Sequence, residues 1–146
     1  MSCQPGIDTE WAEVLAHRPP RTCAEAVARF AEHGITPAQV RAVLADGGDA
    51  LYAAASGGAD GWVEEFGGPL GVALLAAEVS AYTAHLTARA AGVRALAVDR
   101  LLDDLSAVTV ASRLGVSRQK VYDLARGGLT TPFVDRVLWR NSEDRS

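Results

Sequence analysis

The sequence has few of the residue patterns that are typical of β-strands or of secreted proteins. β-branched and aromatic residues rarely alternate with polar ones, and only 6% of the chain is aromatic, so strands are not expected. The two cysteines, Cys3 and Cys23, are too few for a disulfide framework. No basic segment followed by an apolar run opens the chain, so no signal peptide is predicted. These absences favour a cytoplasmic protein with reduced cysteines.

Long apolar runs are also missing. The most apolar stretch, Pro69–Ala77, is too short to cross a hydrocarbon layer of about 30 Å, and Glu78 follows it directly. The sequence therefore predicts no membrane partner.

Motifs for metal binding and catalysis are absent as well. The three histidines, His17, His33 and His85, have no His or Cys partner at a metal-ligand spacing. The adjacent carboxylates Glu64 and Glu65 would diverge on a helix, and the glycine pairs lack the lysine of a phosphate-binding loop. We therefore predict no metal site, no cofactor and no enzymatic activity.

The residues that are present predict an all-α fold. Hydrophobic residues make up 49% of the 146 residues and charged residues 22%, which is enough to bury a core. Asp8 can cap a first helix, and Thr22 and Glu25 have the capping-box spacing that predicts the start of a second. Thr36 and Gln39 repeat this spacing before a third helix. The N-terminal part is therefore predicted to be a helical bundle.

Two further helices are predicted on either side of Gly92. Pro69–Ala91 carries a wide apolar face that suits a central helix or a helix shared with a second subunit. The next helix is predicted over 93–105, with Val93, Leu96, Leu101 and Leu105 facing inward. Gly92 therefore divides the chain into a dimerisation or partner-binding region, 1–92, and a second domain, 93–146.

Charge is distributed unevenly along the chain, whose net charge is −4. Residues 1–92 carry 11 acidic and 5 basic side chains, whereas residues 106–140 carry six basic side chains against two acidic ones. Because salt screens charges beyond about 8–10 Å, local charge matters most for docking on phosphates. The C-terminal part can therefore contact an anionic partner despite the acidic whole.

The basic segment begins at Ser106 and reads Ser-Ala-Val-Thr-Val-Ala-Ser-Arg-Leu-Gly-Val-Ser-Arg-Gln-Lys-Val-Tyr-Asp-Leu-Ala-Arg. Its spacing of Ala111, Gly115 and Val121 resembles the bacterial helix-turn-helix DNA-binding family. Ala111 lets two helices pack closely, and Gly115 supplies the left-handed conformation of the turn. The resemblance implies that residues 93–146 form a tri-helical helix-turn-helix unit.

The same resemblance assigns packing roles within this unit. Val116 is expected to fill the corner and Ser117 to cap the second helix. Val121 and Leu124 are expected to pack against Val110 and Leu114. A final helix is predicted to open at Thr131-Pro132.

In this family the second helix lies in the major groove of double-stranded DNA, with its N-terminal residues at the base edges. By position, the candidates for base contact are Arg118, Gln119 and Tyr122. The candidates for phosphate contact are Arg113, Ser117, Lys120 and Arg126. The alternative for each is a solvated surface residue.

Asp123 is the one acidic residue of the predicted recognition helix. It can face away from DNA, pair with Arg126 or Lys120, or accept a hydrogen bond from a cytosine. The sequence leaves these alternatives open.

The resulting hypothesis is a sequence-specific transcriptional regulator that acts as a homodimer, because two helix-turn-helix units contact two half-sites. Pro69–Ala91 is the expected dimer interface. The alternative is a protein-interaction adaptor, either antitoxin-like or polymerase-associated, whose acidic N-terminal region binds a protein partner. The two hypotheses differ in whether Arg118 and Gln119 matter for binding DNA.

Overall fold

The computed structural model describes residues 8–127, which form seven α-helices and one short 3₁₀ helix. The α-helices are α1 (Thr9–Val14), α2 (Pro20–Glu32), α3 (Pro37–Ala45), α4 (Asp49–Gly57), α5 (Gly68–Asp104), α6 (Ala107–Leu114) and α7 (Arg118–Gly127), and the 3₁₀ helix is Trp62–Phe66. No strand occurs in this part of the chain. The predicted all-α class is confirmed.

Two of the predicted helix starts are confirmed by their caps. The Asp8 carboxylate accepts a hydrogen bond from the Glu10 backbone N–H at 3.0 Å, and α1 begins at the next residue. The Thr36 hydroxyl accepts from the Gln39 N–H at 3.2 Å, while the Gln39 side chain accepts from the Thr36 N–H at 2.8 Å. This reciprocal pair satisfies two N–H groups that the start of α3 would otherwise leave unbonded.

The predicted start of the second helix is wrong. Thr22 does not cap it, because α2 begins at Pro20 with Pro19 at the N-cap position. The fixed φ of proline suits the first helical position, and its missing N–H costs nothing there. The Thr22 hydroxyl instead donates to the Pro19 carbonyl at 3.2 Å.

The predicted break at Gly92 is also wrong, because α5 runs without interruption from Gly68 to Asp104. A glycine inside a helix costs only about 1 kcal/mol relative to alanine, and no proline accompanies it here. Gly92 is buried. Gly92 therefore lies inside one long helix and does not end it.

The inward face of the second half of α5 differs from the predicted one. Val93 is 52% exposed and Leu101 38% exposed, while Leu96 is buried as predicted. Ala95 and Val98 are buried instead. In this half of α5 and directly after it, the side chains that pack with residues of α6 and α7 are Val98, Leu102 and Leu105, and Val93 and Leu101 remain exposed.

The chain divides into two compact units, unit 1 (Met1–His85) and unit 2 (Leu86–Ser146), and the division falls inside α5. The core of unit 1 contains Trp11 and Phe30, whose rings stack with centroids 5.6 Å apart. Leu15, Val40 and Leu75 are completely buried with them. Side chains from the N-terminal helices and from α5 thus meet in one cluster.

Gly71 marks the closest backbone approach in unit 1. A Cβ atom built on Gly71 would lie 2.2 Å from the carbonyl oxygen of Phe66, which is shorter than any real contact. The 3₁₀ helix that ends at Phe66 can therefore lie against the start of α5 only because this position lacks a side chain.

Cys23 departs from the predicted reduced state. It is completely buried and disulfide-bonded. The one other cysteine of the sequence, Cys3, lies outside the described residues.

One helix of the described part, α5, is long and apolar enough to cross a membrane by length and composition alone. Its most apolar 18-residue window has a mean hydropathy of 1.2. Only 17% of this window is buried within the protein. A single helix of this kind is weak evidence for a membrane segment, because core helices of soluble proteins and signal sequences meet the same length and composition criteria. Leu75 and Glu78 of this helix are buried within unit 1.

Several predictions fall on residues that the structure does not describe. They are the final helix opening at Thr131-Pro132 and the charges of Asp135, Arg136 and Arg140.

Candidate functional site

The turn between α6 and α7 has the backbone conformation that the sequence predicts. Ser106 caps α6, and its hydroxyl accepts from the Thr109 N–H at 3.1 Å. Gly115 follows α6 with φ 71° and ψ 33°, a left-handed conformation that is cheap only for glycine. The Val116 N–H then bonds back to the Ala111 carbonyl at 3.0 Å. The prediction for Gly115 is confirmed.

The start of α7 is capped by Ser117, as predicted. The Ser117 hydroxyl accepts from the Lys120 N–H at 3.1 Å. Its own O–H group can still donate, because a hydroxyl is both a donor and an acceptor. Capping therefore leaves Ser117 able to donate a hydrogen bond to an anion.

A small hydrophobic core supports α6 and α7. Its buried members are Val98, Val110, Ala111, Val121 and Leu124, and the partly buried residues packed against it are Leu102, Leu105, Val116 and Ala125. Ala111, Val121 and Leu124 are thus buried as predicted. This core fixes which sides of α6 and α7 face solvent.

Leu114 does not belong to this core, contrary to prediction. It is 44% exposed. Leu114 is the last residue of α6, and Val116 packs against the core immediately after the left-handed turn at Gly115. Val116 thus packs against the core at the corner, as predicted, whereas Leu114 does not pack with Val121 and Leu124.

The seven residues predicted to contact DNA are all exposed. They are Arg113, Ser117, Arg118, Gln119, Lys120, Tyr122 and Arg126. Residues four apart share one face of a helix, so Arg118, Tyr122 and Arg126 form a stripe along α7. Over residues 106–127 four basic side chains stand against the single carboxylate of Asp123. The outer side of α7 is thus a cationic surface with an exposed aromatic ring.

Asp123 is bonded on both sides along its own helix. Its Oδ1 atom accepts a hydrogen bond from Arg126 Nη2 and another from Gln119 Nε2, the latter at 3.3 Å. Of the alternatives that the sequence left open, the structure thus shows pairing with Arg126. The contact with Gln119 was not predicted, although the i,i+4 spacing allows it.

A second charged cluster lies buried in unit 1, and the sequence interpretation missed it. Glu78 on α5 is only 2% exposed. Its carboxylate accepts two hydrogen bonds of 2.8 Å from the Arg18 guanidinium, one at each oxygen, and a third contact of 2.6 Å joins it to His17 Nε2. The available signal was a single carboxylate within the apolar face of a helix, which needs a buried partner.

The partners decide the charge of this carboxyl group. Burial raises the pKa of Glu78, but the hydrogen bonds from His17 and Arg18 outweigh it and leave the pKa below its usual range. The hydrogen bond to Glu78 likewise raises the pKa of Arg18. Both groups are therefore ionised at neutral pH. No buried side-chain nitrogen or oxygen in the described part lacks a hydrogen-bond partner, so this cluster is a closed structural link.

Two of the histidines lie closer together than their sequence separation indicated. The rings of His17 and His85 have centroids 6.1 Å apart, and His17 meets Tyr82 edge-on at 5.1 Å. Within residues 8–127, no three His, Cys, Asp or Glu side chains are arranged to hold a metal ion. The described cluster therefore offers no metal centre.

Unit 1 also contains an open cavity of about 290 Å³. Val43, Phe66 and Leu75 give it apolar walls, and the carboxylates of Asp46 and Glu65 also line it. Asp46 already accepts hydrogen bonds from the backbone N–H groups at the start of α4. One of the two carboxylates that line the cavity is thus already hydrogen-bonded within the fold.

Comparisons of the chain with family models, with curated proteins and with solved structures give no match.

Proposed function

We propose that the protein is a sequence-specific DNA-binding regulator of transcription, in which α6 and α7 act as a helix-turn-helix and α7 enters the major groove. The observation that carries this proposal is the exposed cationic side of α7, held in place by the buried side chains of Val121 and Leu124. A helix of this kind fits the major groove, which is about 12 Å wide.

The local electrostatics support an anionic partner. Arg118, Tyr122 and Arg126 share one side of α7, and Lys120 lies on the same short helix. Lysine and arginine side chains that neutralise phosphates release counterions, which favours association at low salt. The overall negative charge lies mostly in residues 1–92, which carry 11 acidic and 5 basic side chains.

The residues have different expected roles. Arg118, Gln119 and Tyr122 would contact base edges, since they lie in the first turns of the recognition helix. Arg113, Ser117, Lys120 and Arg126 would contact phosphates. Phosphate contacts position the protein, and base contacts distinguish one sequence from another.

A homodimer completes the proposal, because one helix-turn-helix reads only one half-site. Between residues 73 and 88 the exposed side chains of α5 are all small, which allows a second helix to approach closely. They are Ala73, Ala76, Ala77, Ser80, Thr83, Ala84, Thr87 and Ala88. Light scattering coupled to gel filtration, without detergent, should give the mass of two chains at micromolar concentration. The mass of one chain would contradict the dimer.

The DNA-binding proposal is tested by fluorescence anisotropy with labelled duplexes of random sequence and, after selection, with the enriched sequence. The wild type should prefer the enriched duplex and bind both duplexes more weakly as salt rises. Arg118→Ala/Gln119→Ala should weaken binding to the enriched duplex at least about tenfold, because each lost base contact costs roughly 1–3 kcal/mol. Enrichment of no sequence would contradict specific recognition.

The second candidate is the protein-interaction adaptor. It is favoured by the excess of acidic side chains in residues 1–92, 11 against 5 basic ones. For an adaptor, the Arg118→Ala/Gln119→Ala variant would leave any weak DNA binding unchanged. The same anisotropy experiment therefore distinguishes the two candidates.

A further inference from the structure

Three side chains of α7, those of Gln119, Asp123 and Arg126, form a small hydrogen-bonded network on the proposed DNA-facing side. Gln119 Nε2 donates to Asp123 Oδ1 at 3.3 Å, and Arg126 Nη2 donates to the same oxygen. All three residues are exposed and lie one helical turn apart. The network is therefore built from the surface of one helix and needs no other element to form.

A carboxylate beside a glutamine restricts how the amide group can turn. An ionised carboxylate only accepts hydrogen bonds, whereas the Gln119 amide has an NH₂ group on one side and a carbonyl oxygen on the other. Asp123 therefore selects the orientation in which the NH₂ group faces it. The carbonyl oxygen, Oε1, then points away from Asp123, and one of the two N–H bonds stays available.

This orientation has consequences at a base edge in the major groove. An outward oxygen accepts from the exocyclic amino group of adenine or cytosine, and the free N–H can donate to adenine N7 at the same time. Guanine presents two acceptors at this edge, and thymine presents one acceptor and a methyl group, so neither base offers a donor to the amide oxygen. A Gln119 amide held in one orientation therefore distinguishes these bases more strongly than an amide that can turn over.

Arg126 explains how a carboxylate can lie on a cationic DNA-facing helix. It shares the Asp123 oxygen with Gln119, and an opposite charge in direct contact offsets the repulsion between the carboxylate and the phosphates. Arg126 thereby keeps Asp123 compatible with DNA while Asp123 holds Gln119.

From this geometry we propose that Asp123 is a specificity-determining positioning residue: by fixing the Gln119 amide, it makes α7 read a base with an exocyclic amino group, adenine above all. The inference rests on the proposed DNA-binding function. Asp123 acts through Gln119 and has no direct contact with the base.

The first test needs no DNA. In the full chain labelled with ¹⁵N, the two side-chain NH₂ proton resonances of Gln119 should be widely separated, because only one proton is bonded to Asp123. Asp123→Ala should bring the two resonances closer together. Identical Gln119 side-chain signals in the wild type and in Asp123→Ala would overturn the proposed contact.

The second test measures base preference by selection from a randomised duplex pool. The position read by Gln119 is the one whose preference disappears in Gln119→Ala. At that position the wild type should favour adenine over guanine and thymine on the order of tenfold. Asp123→Asn keeps the shape but offers both a donor and an acceptor, so the amide can turn and the preference should fall several-fold.

Asp99→Asn is the control for the loss of one negative charge, because it removes an exposed carboxylate of α5 in unit 2. Both variants should bind all duplexes somewhat more tightly, but only Asp123→Asn should change the base preference. An unchanged preference in Asp123→Asn, or a wild-type preference for guanine or thymine, overturns the inference while the DNA-binding proposal stands. If the wild type binds no DNA, the proposed function itself fails, and the specificity role fails with it.

Discussion

The two units of the protein each contain a carboxylate that accepts hydrogen bonds from an arginine and from one further side chain, but the surroundings differ. Glu78 in unit 1 is buried with Arg18 and His17, whereas Asp123 in unit 2 is exposed beside Arg126 and Gln119. Charges taken out of water depend strongly on their partners, and exposed pairs are worth little. The same chemistry therefore links buried side chains in unit 1 and exposed side chains on the surface of α7 in unit 2.

The largest expected effect comes from removing the buried charge. Glu78→Gln should lower the free energy of unfolding by about 3 kcal/mol, because loss of one partner leaves the other buried charge uncompensated. The measurement is urea unfolding followed by tryptophan fluorescence, since Trp11 and Trp62 both lie in unit 1. Asp123→Asn should change stability by about 1 kcal/mol or less. Equal effects of the two substitutions would contradict the comparison.

A methyl group added at Gly71 should have the next largest effect. Its Cβ would lie 2.2 Å from the Phe66 carbonyl oxygen, so the 3₁₀ helix or α5 must move. We expect Gly71→Ala to destabilise unit 1 by about 2 kcal/mol, as overpacked cores do. The control is Gly57→Ala, since nothing lies within 4 Å of that position. The stabilities of the two variants are compared by thermal unfolding. Equal stability of Gly71→Ala and Gly57→Ala would contradict the close approach of Gly71 to the Phe66 carbonyl oxygen.

A smaller effect is expected at the turn of unit 2. A Cβ on Gly115 would meet nothing within 4 Å, but the residue has φ +71°. Gly115→Ala should therefore cost about 1 kcal/mol from backbone strain alone. Gly115→Asn should cost less and Gly115→Val more, because asparagine tolerates this conformation and β-branched residues do not. Circular dichroism during thermal unfolding can rank the three variants, and a different order would exclude strain as the cause.

The smallest expected effect is the loss of the stability contribution of Glu78 as the pH falls. The pKa of Glu78 is lowered from 4.5 in the folded protein, so its contribution to stability is fully present above that value. It is lost as the pH falls through the lower folded-state pKa. The free energy of unfolding of the wild type should exceed that of Glu78→Gln at pH 7, and only part of this difference should be lost between pH 7 and pH 4. A stability difference between the two proteins that grows on acidification would contradict the direction of the shift.

Local signals predicted much of the structure. The caps at Asp8, Thr36 and Ser117 and the turn at Gly115 depend on interactions within four residues, and each is found where it was expected. The buried positions Val121 and Leu124 followed from their spacing. The exposure of all seven candidate DNA contacts was predicted in the same way.

The wrong and missing predictions have different causes. Gly92 does not end a helix, because the surrounding sequence supplies no competing cap or proline. Glu78 was taken as the end of an apolar stretch, because its partners Arg18 and His17 are about sixty residues earlier in the chain. The Gln119–Asp123 contact needed side-chain conformations that a spacing rule does not give.

The central claim is that the cationic side of α7 binds DNA, and the most direct test is the salt dependence of binding for two arginine variants. Arg118→Ala removes a charge from α7, and Arg29→Ala removes an exposed charge from unit 1. Affinity for the selected duplex is measured by anisotropy at several salt concentrations. We predict weaker binding for Arg118→Ala, with a salt slope shallower by about one if this side chain also neutralises a phosphate, and no change for Arg29→Ala. Equal affinities and equal slopes for Arg118→Ala and the wild type would contradict the claim.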